Sequence, residues 1–174
     1  KLRFINFYKI SVYDAEVLTS DRRISEFFEE VAKNRSSKLS VSWVASELFA
    51  VLNKLNLNIE NSPVSSSQLG ELIDEIENGT ISNRAAKEVF EEMCNSEKSA
   101  KDIIEEKGLV QISDTSEIEI FINKVLEDNP ENVEKYKNGK TKLLGFFIGE
   151  VMKATKGKAN PGLLNQIVKK KLDN

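Results

Sequence analysis

Helix start and stop signals recur at short intervals along most of this 174-residue chain. Ser65 and Gln68 have the spacing of a capping box, and Gly79 follows the apolar stripe that comes after them. Asp114 and Glu117 mark another start of the same kind, again directly before an apolar stripe. A chain divided in this way has to pack many short amphipathic helices against one another, so these signals predict an all-α fold.

The apolar residues between these signals recur at helical spacing. The predicted helices cover residues 21–34, 38–55, 65–78 and 141–154, with further helices that start at Ser82, Asp114, Asn129 and Asn160. Strand-like signals are confined to the first dozen residues, where the aromatic and β-branched side chains cluster: Phe4, Phe7, Tyr8, Ile10 and Val12. We therefore expect a short extended segment at the start of the chain. Polar residues 56–63 and a softer break near residues 107–113 allow two small domains.

The charge is distributed unevenly along the sequence. Residues 1–63 have a net charge of +1, residues 64–134 of −12 and residues 135–174 of +8. Adjacent glutamates on a helix diverge by about 100°, so the acidic middle is best interpreted as a solvated face rather than a metal cage or a catalytic pair. That face would repel nucleic acid, whereas the basic end favours it.

The residue counts also exclude several kinds of site. The chain has no histidine and one cysteine, which removes histidine metal ligands, histidine-activated nucleophiles, disulfide frameworks and multi-cysteine zinc sites. Residues 138–141 (Asn-Gly-Lys-Thr) resemble the end of a phosphate-binding P-loop, but Glu134 stands where that motif needs glycine. No apolar run in the sequence is long enough to cross a bilayer. We expect a soluble intracellular protein without a metal site, a P-loop or a membrane partner.

A lysine-rich turn is the strongest candidate for a binding site. We call residues 153–162 the basic elbow; this segment contains no acidic residue and includes Lys153, Lys156, Gly157 and Lys158. Asn160 and Pro161 then start a helix whose free N–H groups attract anions. Lysine near a helix C-terminus also has a structural explanation, since it interacts favourably with the helix dipole. Residues 169–171 add three more lysines on the last helix, and this density favours polyanion binding.

Gly145 and Gly149 lie four residues apart in the predicted helix 141–154. Each costs about 1 kcal/mol of helix stability relative to alanine, so the pair needs an explanation. One explanation is close packing of another helix against the bare groove. The other is close approach of a ligand backbone, with Lys153 at the end of the groove. The spacing alone favours helix packing.

A series of short motifs, in order along nearly the whole chain, resembles one known family. The motifs are Tyr13-Asp14-Ala15-Glu16-Val17-Leu18-Thr19, Phe27-Phe28-Glu29, Trp43 with Glu47-Leu48 and Leu52-Asn53, Leu69 with Leu72-Ile73, Gly79-Thr80-Ile81-Ser82, Ala86-Lys87-Glu88-Val89-Phe90, Gly108-Leu109-Val110-Gln111-Ile112-Ser113-Asp114, Gly139-Lys140, Phe147-Ile148-Gly149, Val151-Met152-Lys153 and Thr155-Lys156-Gly157-Lys158-Ala159-Asn160-Pro161. Together they resemble the C-terminal part of the B subunits (GatB) of aspartyl/glutamyl-tRNA(Asn/Gln) amidotransferases.

The resemblance implies that the parent protein is an ATP-dependent ligase of protein biosynthesis. In the family, an N-terminal catalytic cradle uses ATP and Mg to phosphorylate the side-chain carboxylate of Glu-tRNA(Gln) or Asp-tRNA(Asn). Ammonia that the A subunit releases from glutamine then gives Gln-tRNA(Gln) or Asn-tRNA(Asn). The expected partners are tRNA(Gln) or tRNA(Asn) and the A and C subunits of a heterotrimer, in the bacterial cytoplasm or an organellar matrix. DNA is not an expected partner.

The same resemblance implies a division of this chain in which the catalytic cradle is missing. Residues 1–13 would be an extended remnant of the cradle, residues 14–107 the helical domain and residues 108–174 a YqeY-like tail domain. In the family these two domains recognise the body of the tRNA, near its outer corner. We therefore expect no catalytic residue, bound metal or cofactor in this chain.

The expected tRNA contacts combine the resemblance with the charge pattern. They are Lys140, Lys142, Lys153, Lys156, Lys158 and Asn160, with Lys169, Lys170 and Lys171 as additional electrostatic contacts. Gly145, Gly149 and Gly157 are the positions at which the backbone could closely approach RNA. The chain departs from the family pattern at three positions: Ser42, Ser46 and Glu150, where the family usually has Asn, Gly and Gln. We expect the charge of Glu150 to weaken contact at that position.

A protein-interaction module is the alternative function. A helical arm could dock on the amidotransferase or on a tRNA synthetase, with the basic end against an acidic partner. The acidic middle suits a basic partner equally well. The sequence leaves open whether the tRNA is specific for Gln or Asn.

Overall fold

The computed structural model describes residues 1–173, and these residues form twelve α-helices. Within the described residues, β pairing is limited to one isolated bridge between Ile112 and Ala159. The predicted all-α fold is confirmed. No helix in this part of the chain is both long enough and apolar enough to cross a membrane. The chain divides into two compact units, which we call the N-terminal unit (Lys1–Gly108) and the C-terminal unit (Leu109–Asn174).

The N-terminal unit contains eight of the α-helices. These are α1 (Leu2–Tyr8), α2 (Val12–Leu18), α3 (Arg22–Val31), α4 (Ser37–Val41), α5 (Phe49–Leu55), α6 (Ser66–Glu77), α7 (Asn83–Asn95) and α8 (Ala100–Lys107). A π-helical turn, Ser42–Leu48, joins α4 to α5 without a break, and a 3₁₀ turn covers Ile59–Asn61.

The C-terminal unit consists of four helices packed around one apolar core. They are α9 (Thr115–Asp128), α10 (Pro130–Lys137), α11 (Leu143–Ala154) and α12 (Pro161–Asp173). The buried residues of this core are Ile118, Ile122, Val125, Tyr136, Phe147, Val151, Ala159, Leu164, Val168 and Leu172. Every helix contributes to the core, so the lysines of α11 and α12 project from a packed scaffold.

Capping residues start most of the helices that the sequence predicts. Ser65 and Gln68 form the expected capping box at α6: Gln68 N donates to Ser65 Oγ at 3.2 Å, and Ser65 N donates to Gln68 Oε1 at 2.9 Å. Asp114 accepts from Ser116 N at 2.8 Å at the start of α9. Two starts differ: Asn129 Nδ2 donates to Val125 O of the preceding helix rather than capping α10, and Lys142 makes no side-chain cap at the start of α11.

The prediction of an extended N-terminal segment is wrong, because residues 2–8 form a helix. Phe4 and Tyr8 are four residues apart and therefore lie on one helical face. Their rings are 5.4 Å apart between centroids, and the rings of Phe4 and Tyr8 lie 5.6 Å and 5.0 Å from that of Phe28 in α3. Aromatic residues favour strands by type, which is why the sequence predicted an extended segment, but the spacing of Phe4 and Tyr8 is that of one helical face. The assignment of residues 1–13 to a catalytic domain stays a prediction.

The π-helical turn was not predicted from the sequence. Trp43, Val44 and Leu48 are all buried, with exposures of 0–1%. Trp43 and Leu48 are five residues apart, which is the hydrogen-bonding interval of a π-helix, so the wider turn brings both onto the core side. Trp43 Nε1 donates to Asn83 Oδ1 at 3.2 Å, which connects this turn to α7.

An ion pair between Arg35 and Asp74, packed over Gly70, connects the end of α3 to α6. We call it the charged clamp. The guanidinium of Arg35 donates to both carboxylate oxygens of Asp74 at 2.7 Å, and its Nη1 donates to Val31 O at 3.0 Å. This group lies over Gly70, where a Cβ would be only 2.5 Å from Nη1. Glycine in the middle of α6 therefore makes room for the clamp.

We predict that Gly70→Ala destabilises the N-terminal unit by about 1–3 kcal/mol, because the new methyl group displaces a bonded guanidinium. In an Arg35→Ala background the same change should instead stabilise by roughly 0.5–1 kcal/mol, through helix propensity. Urea denaturation followed by the fluorescence of Trp43 measures both. The matched control is Gly145→Ala in α11, where a Cβ meets nothing within 4 Å. This change should raise the stability of the C-terminal unit, as measured by urea denaturation followed by circular dichroism. Stabilisation by Gly70→Ala in the unaltered background would contradict this account.

Candidate nucleic-acid interface

The basic elbow begins with a helix-ending motif that fixes its backbone. Gly157 N donates to Met152 O at 2.7 Å, and Lys156 N donates to Lys153 O at 3.0 Å, which is the Schellman pattern. Lys156 and Gly157 both have left-handed backbones, with φ of 53° and 76°. Glycine is the usual residue at the position of Lys156, so the chain places a lysine there despite a conformational cost.

Ile112 then holds the far side of the elbow. Ile112 N donates to Lys158 O at 2.7 Å, and Asn160 N donates to Ile112 O at 2.9 Å. Ala159, between these two residues, is fully buried. Thr155 supports the turn from inside, since its Oγ1 donates to Val151 O at 2.9 Å and accepts from Ala159 N at 3.4 Å. The elbow is therefore a fixed structure.

Asn160 has a structural task in addition to its expected role in RNA contact. Its side-chain Oδ1 accepts from Gly162 N at 3.0 Å and from Leu163 N at 3.2 Å, and so caps the start of α12. The cap uses the amide oxygen and two of the N–H groups that were expected to attract an anion. The amide nitrogen of the side chain is not used in this cap.

Seven of the eight predicted lysines fall into two groups, which we assign to the two ends of α11; this helix rises about 16 Å from Lys142 to Lys153. Lys153, Lys156 and Lys158 belong to the elbow. Tyr136 Oη donates to Asp173 at 3.0 Å and so holds the end of α12 against the end of α10, just before the turn that leads to α11. The second group, which we call the distal lysines, consists of Lys140, Lys142, Lys169 and Lys170, all exposed.

Two of the predicted lysines already have acidic partners. Lys153 Nζ lies 2.7 Å from Glu150 Oε1, and Lys171 Nζ lies 3.6 Å from Glu119 Oε2. The Lys171 side chain is only 28% exposed, so it contributes less to the outer surface than the other lysines of α12.

The exposed side of α11 carries two glycines between the two lysine groups. Gly145 and Gly149 are both exposed, and a Cβ built on either meets no atom of the described residues within 4 Å. The helix-packing explanation favoured by the spacing is therefore wrong within this part of the chain. Sequence spacing identifies a bare groove, but it carries no information about which neighbour covers it.

Phe146 was missed as a candidate site residue. It lies between the two glycines on the same side of α11 and is 37% exposed. It lies outside the buried side of this helix, which carries Phe147 and Val151, and an aromatic residue off the apolar stripe is the signal that could have identified it. An aromatic ring on a surface with lysines at both ends can stack on an unpaired base.

Metal chemistry has no support in the described residues. Residues 1–173 contain no group of three or more acidic, cysteine or histidine side chains that could hold a metal ion. The turn at residues 138–142, which resembles the end of a P-loop, lies between two helices, α10 and α11, whereas a P-loop follows a strand. The absence of a cofactor from this chain stays a prediction.

The fold and the surface define a class of protein: a tandem all-α protein whose second unit carries exposed lysines and two exposed glycines around α11. Comparison with known proteins gives the family. The family model described as the GatB domain (GatB_Yqey) matches residues 26–172. The chain belongs to this family.

Curated relatives agree over the whole chain. It is 52% identical over 174 residues to the B subunit of the aspartyl/glutamyl-tRNA(Asn/Gln) amidotransferase of Thioalkalivibrio sulfidiphilus, and the match covers 99% of this chain and 36% of that protein. The B subunits of the same name from Pelagibacter ubique and Wolbachia pipientis wMel are 50% and 49% identical, over 99% and 100% of the chain and 36% and 37% of those proteins. The chain thus spans little more than a third of the length of these relatives.

We predict that Asn160→Ala destabilises the C-terminal unit by about 1 kcal/mol, because two N–H groups at the start of α12 lose their acceptor. Asn160→Asp should keep the stability, since a carboxylate caps as well and interacts favourably with the helix dipole. Urea denaturation of both variants, followed by circular dichroism at 222 nm, tests this. Equal stability of the alanine variant and the unaltered chain would show that the cap is unimportant.

Proposed function

We propose that this chain is the tRNA-binding C-terminal part of the B component of an amidotransferase. The observation that carries the proposal is the exposed surface of α11, where two lysine groups flank a bare helix face, in a chain of the GatB domain family. Lysines bind phosphates without reading sequence, and this suits recognition of a tRNA body by shape and charge.

The geometry of the face supports contact with a folded RNA. The lysine groups are about 16 Å apart along α11, so one rigid surface could contact two separate stretches of phosphate backbone. Gly145 and Gly149 lie between the two groups and have no side chains, so a ribose or phosphate could approach the helix backbone closely at these positions. Lys156 keeps its strained backbone at this surface, and strain of this kind is commonly retained at functional sites.

The tRNA contacts proposed for this chain take no part in the reaction of the parent enzyme. The parent would convert Glu-tRNA(Gln) to Gln-tRNA(Gln), or Asp-tRNA(Asn) to Asn-tRNA(Asn), through an acyl phosphate made with ATP, using ammonia from glutamine. Residues 1–173 contain no group of three or more histidine, cysteine, aspartate or glutamate side chains that could hold a metal ion, and the binding of ATP and Mg elsewhere in the parent is part of this proposal. This chain would therefore hold the tRNA while other parts of the parent and the A and C subunits carry out the reaction.

An acidic groove favours a second function for the N-terminal unit. Between α7 and α8, the groove is lined by Glu88, Glu91, Glu92, Asn95, Ser96 and Lys107. Lys107 Nζ is 2.8 Å from Glu92 Oε2 and neutralises one of the three carboxylates. The remaining negative charge suits a basic protein surface, such as one on another amidotransferase component or a tRNA synthetase. Protein binding that survives high salt, without tRNA binding by the chain, would favour this function over the first.

We predict that replacing Lys153, Lys156 and Lys158 with alanine weakens binding to a tRNA(Gln) transcript. The slope of log affinity against log salt should shrink by about two to three units, roughly one for each lost phosphate contact. Fluorescence anisotropy with labelled tRNA over a series of salt concentrations measures both the affinity and the slope.

The matched control replaces three exposed lysines of the N-terminal unit: Lys33, Lys38 and Lys54. It changes the net charge by the same amount, so it separates a local contact from a general loss of positive charge. An elbow variant that behaves like this control would contradict the proposed site.

A further inference from the structure

Glu150 is an isolated acid in the basic segment of the chain. It is the only aspartate or glutamate in residues 135–172, which contain ten lysines. It lies on α11 one turn before the elbow, directly after Gly149. Any polyanion that approaches the exposed side of α11 therefore meets one carboxylate among many ammonium groups.

The carboxylate of Glu150 holds one lysine of the elbow. Lys153 Nζ donates to Glu150 Oε1 at 2.7 Å, three residues further along the same helix. The Glu150 side chain is 34% exposed, whereas that of Lys153 is 78% exposed. The acid is thus the more buried partner, and the ion pair keeps the ammonium group close to the helix. Within residues 1–173, Lys156 and Lys158 make no ion pair of this kind.

We propose that Glu150 acts against RNA binding by competing with phosphate for Lys153. The inference rests on the tRNA-binding role proposed above and concerns its regulation. A carboxylate and a phosphate oxygen accept hydrogen bonds from the same ammonium group, so RNA has to replace Glu150 at Lys153. The displaced carboxylate then stays beside the phosphate and repels it. Glu150 therefore weakens the complex and speeds the release of tRNA.

The exchange predicts two linked effects of Glu150→Gln, which removes the charge and keeps the shape. Affinity for a tRNA(Gln) transcript should rise by about two- to fivefold, the range expected for an exposed ion pair. Most of the gain should be a slower dissociation rate. The salt dependence should also steepen by about one unit, because an uncompensated Lys153 becomes a full phosphate contact.

The test compares Glu150→Gln with Glu131→Gln in the full chain. Glu131 lies on α10 in the same unit, and its carboxylate is 3.9 Å from Lys135 Nζ. Both changes remove one negative charge, so the control measures the effect of net charge alone. A second pair, Lys153→Ala with and without Glu150→Gln, asks whether the gain passes through Lys153. Circular dichroism establishes that each variant is folded, and stopped-flow anisotropy gives the dissociation rates.

The expected result is a larger gain and a steeper salt dependence for Glu150→Gln than for Glu131→Gln, with most of the gain lost in the Lys153→Ala background. Equal effects of the two glutamine variants, or a loss of affinity, would overturn the inference. If the alanine variant of the three elbow lysines weakens binding while Glu150→Gln changes nothing, the inference fails and the tRNA-binding function stands. If the unaltered chain binds no tRNA, both fail.

Discussion

The surface of the C-terminal unit depends on two backbone hydrogen bonds to a single residue, Ile112. They bind Lys158 O and Asn160 N, and they hold Ala159 in the core between them. They add to the bonds that Thr155 makes with Lys158 N and Ala159 N, and a segment left unordered would cost about 1–2 kcal/mol for each residue ordered on binding. Because this order is acquired on folding, the lysines are presented on a fixed backbone and less affinity is lost to ordering.

The parts of this fold that could be predicted from the sequence are those set by local signals. Caps such as Ser65 and stripes of apolar residues act locally, so the all-α fold and most helix boundaries were predictable. The N-terminal helix was not, because Phe4 and Tyr8 suit a strand by residue type and a helix by spacing. The π-helical turn at Ser42–Leu48 was also not predicted, since it places buried residues by a tertiary requirement. Sequence alone carries no statement of that requirement.

The candidate site was predictable in its residues but not in its arrangement. Ten lysines near the end of the chain are visible in the sequence, whereas the separation of seven of them into two groups depends on how α10 and α12 meet through Tyr136 and Asp173. The exposure of Gly145 and Gly149 depends in the same way on how the helices of residues 1–173 pack. Binding by such a surface is reversible by nature, because exposed lysines exchange phosphate for counterions as salt changes. The Glu150 carboxylate would adjust the same balance from within.

The most direct test of this account is a titration of the unaltered chain with a tRNA(Gln) transcript, from low to physiological salt. The account predicts clear binding at low salt that weakens linearly in log–log form, by roughly 0.7–0.9 units for each phosphate contacted. A slope equivalent to several contacts would support a grip on the RNA backbone. No binding at low salt, or binding that is insensitive to salt, would contradict the claim that the lysines at the ends of α11 hold tRNA.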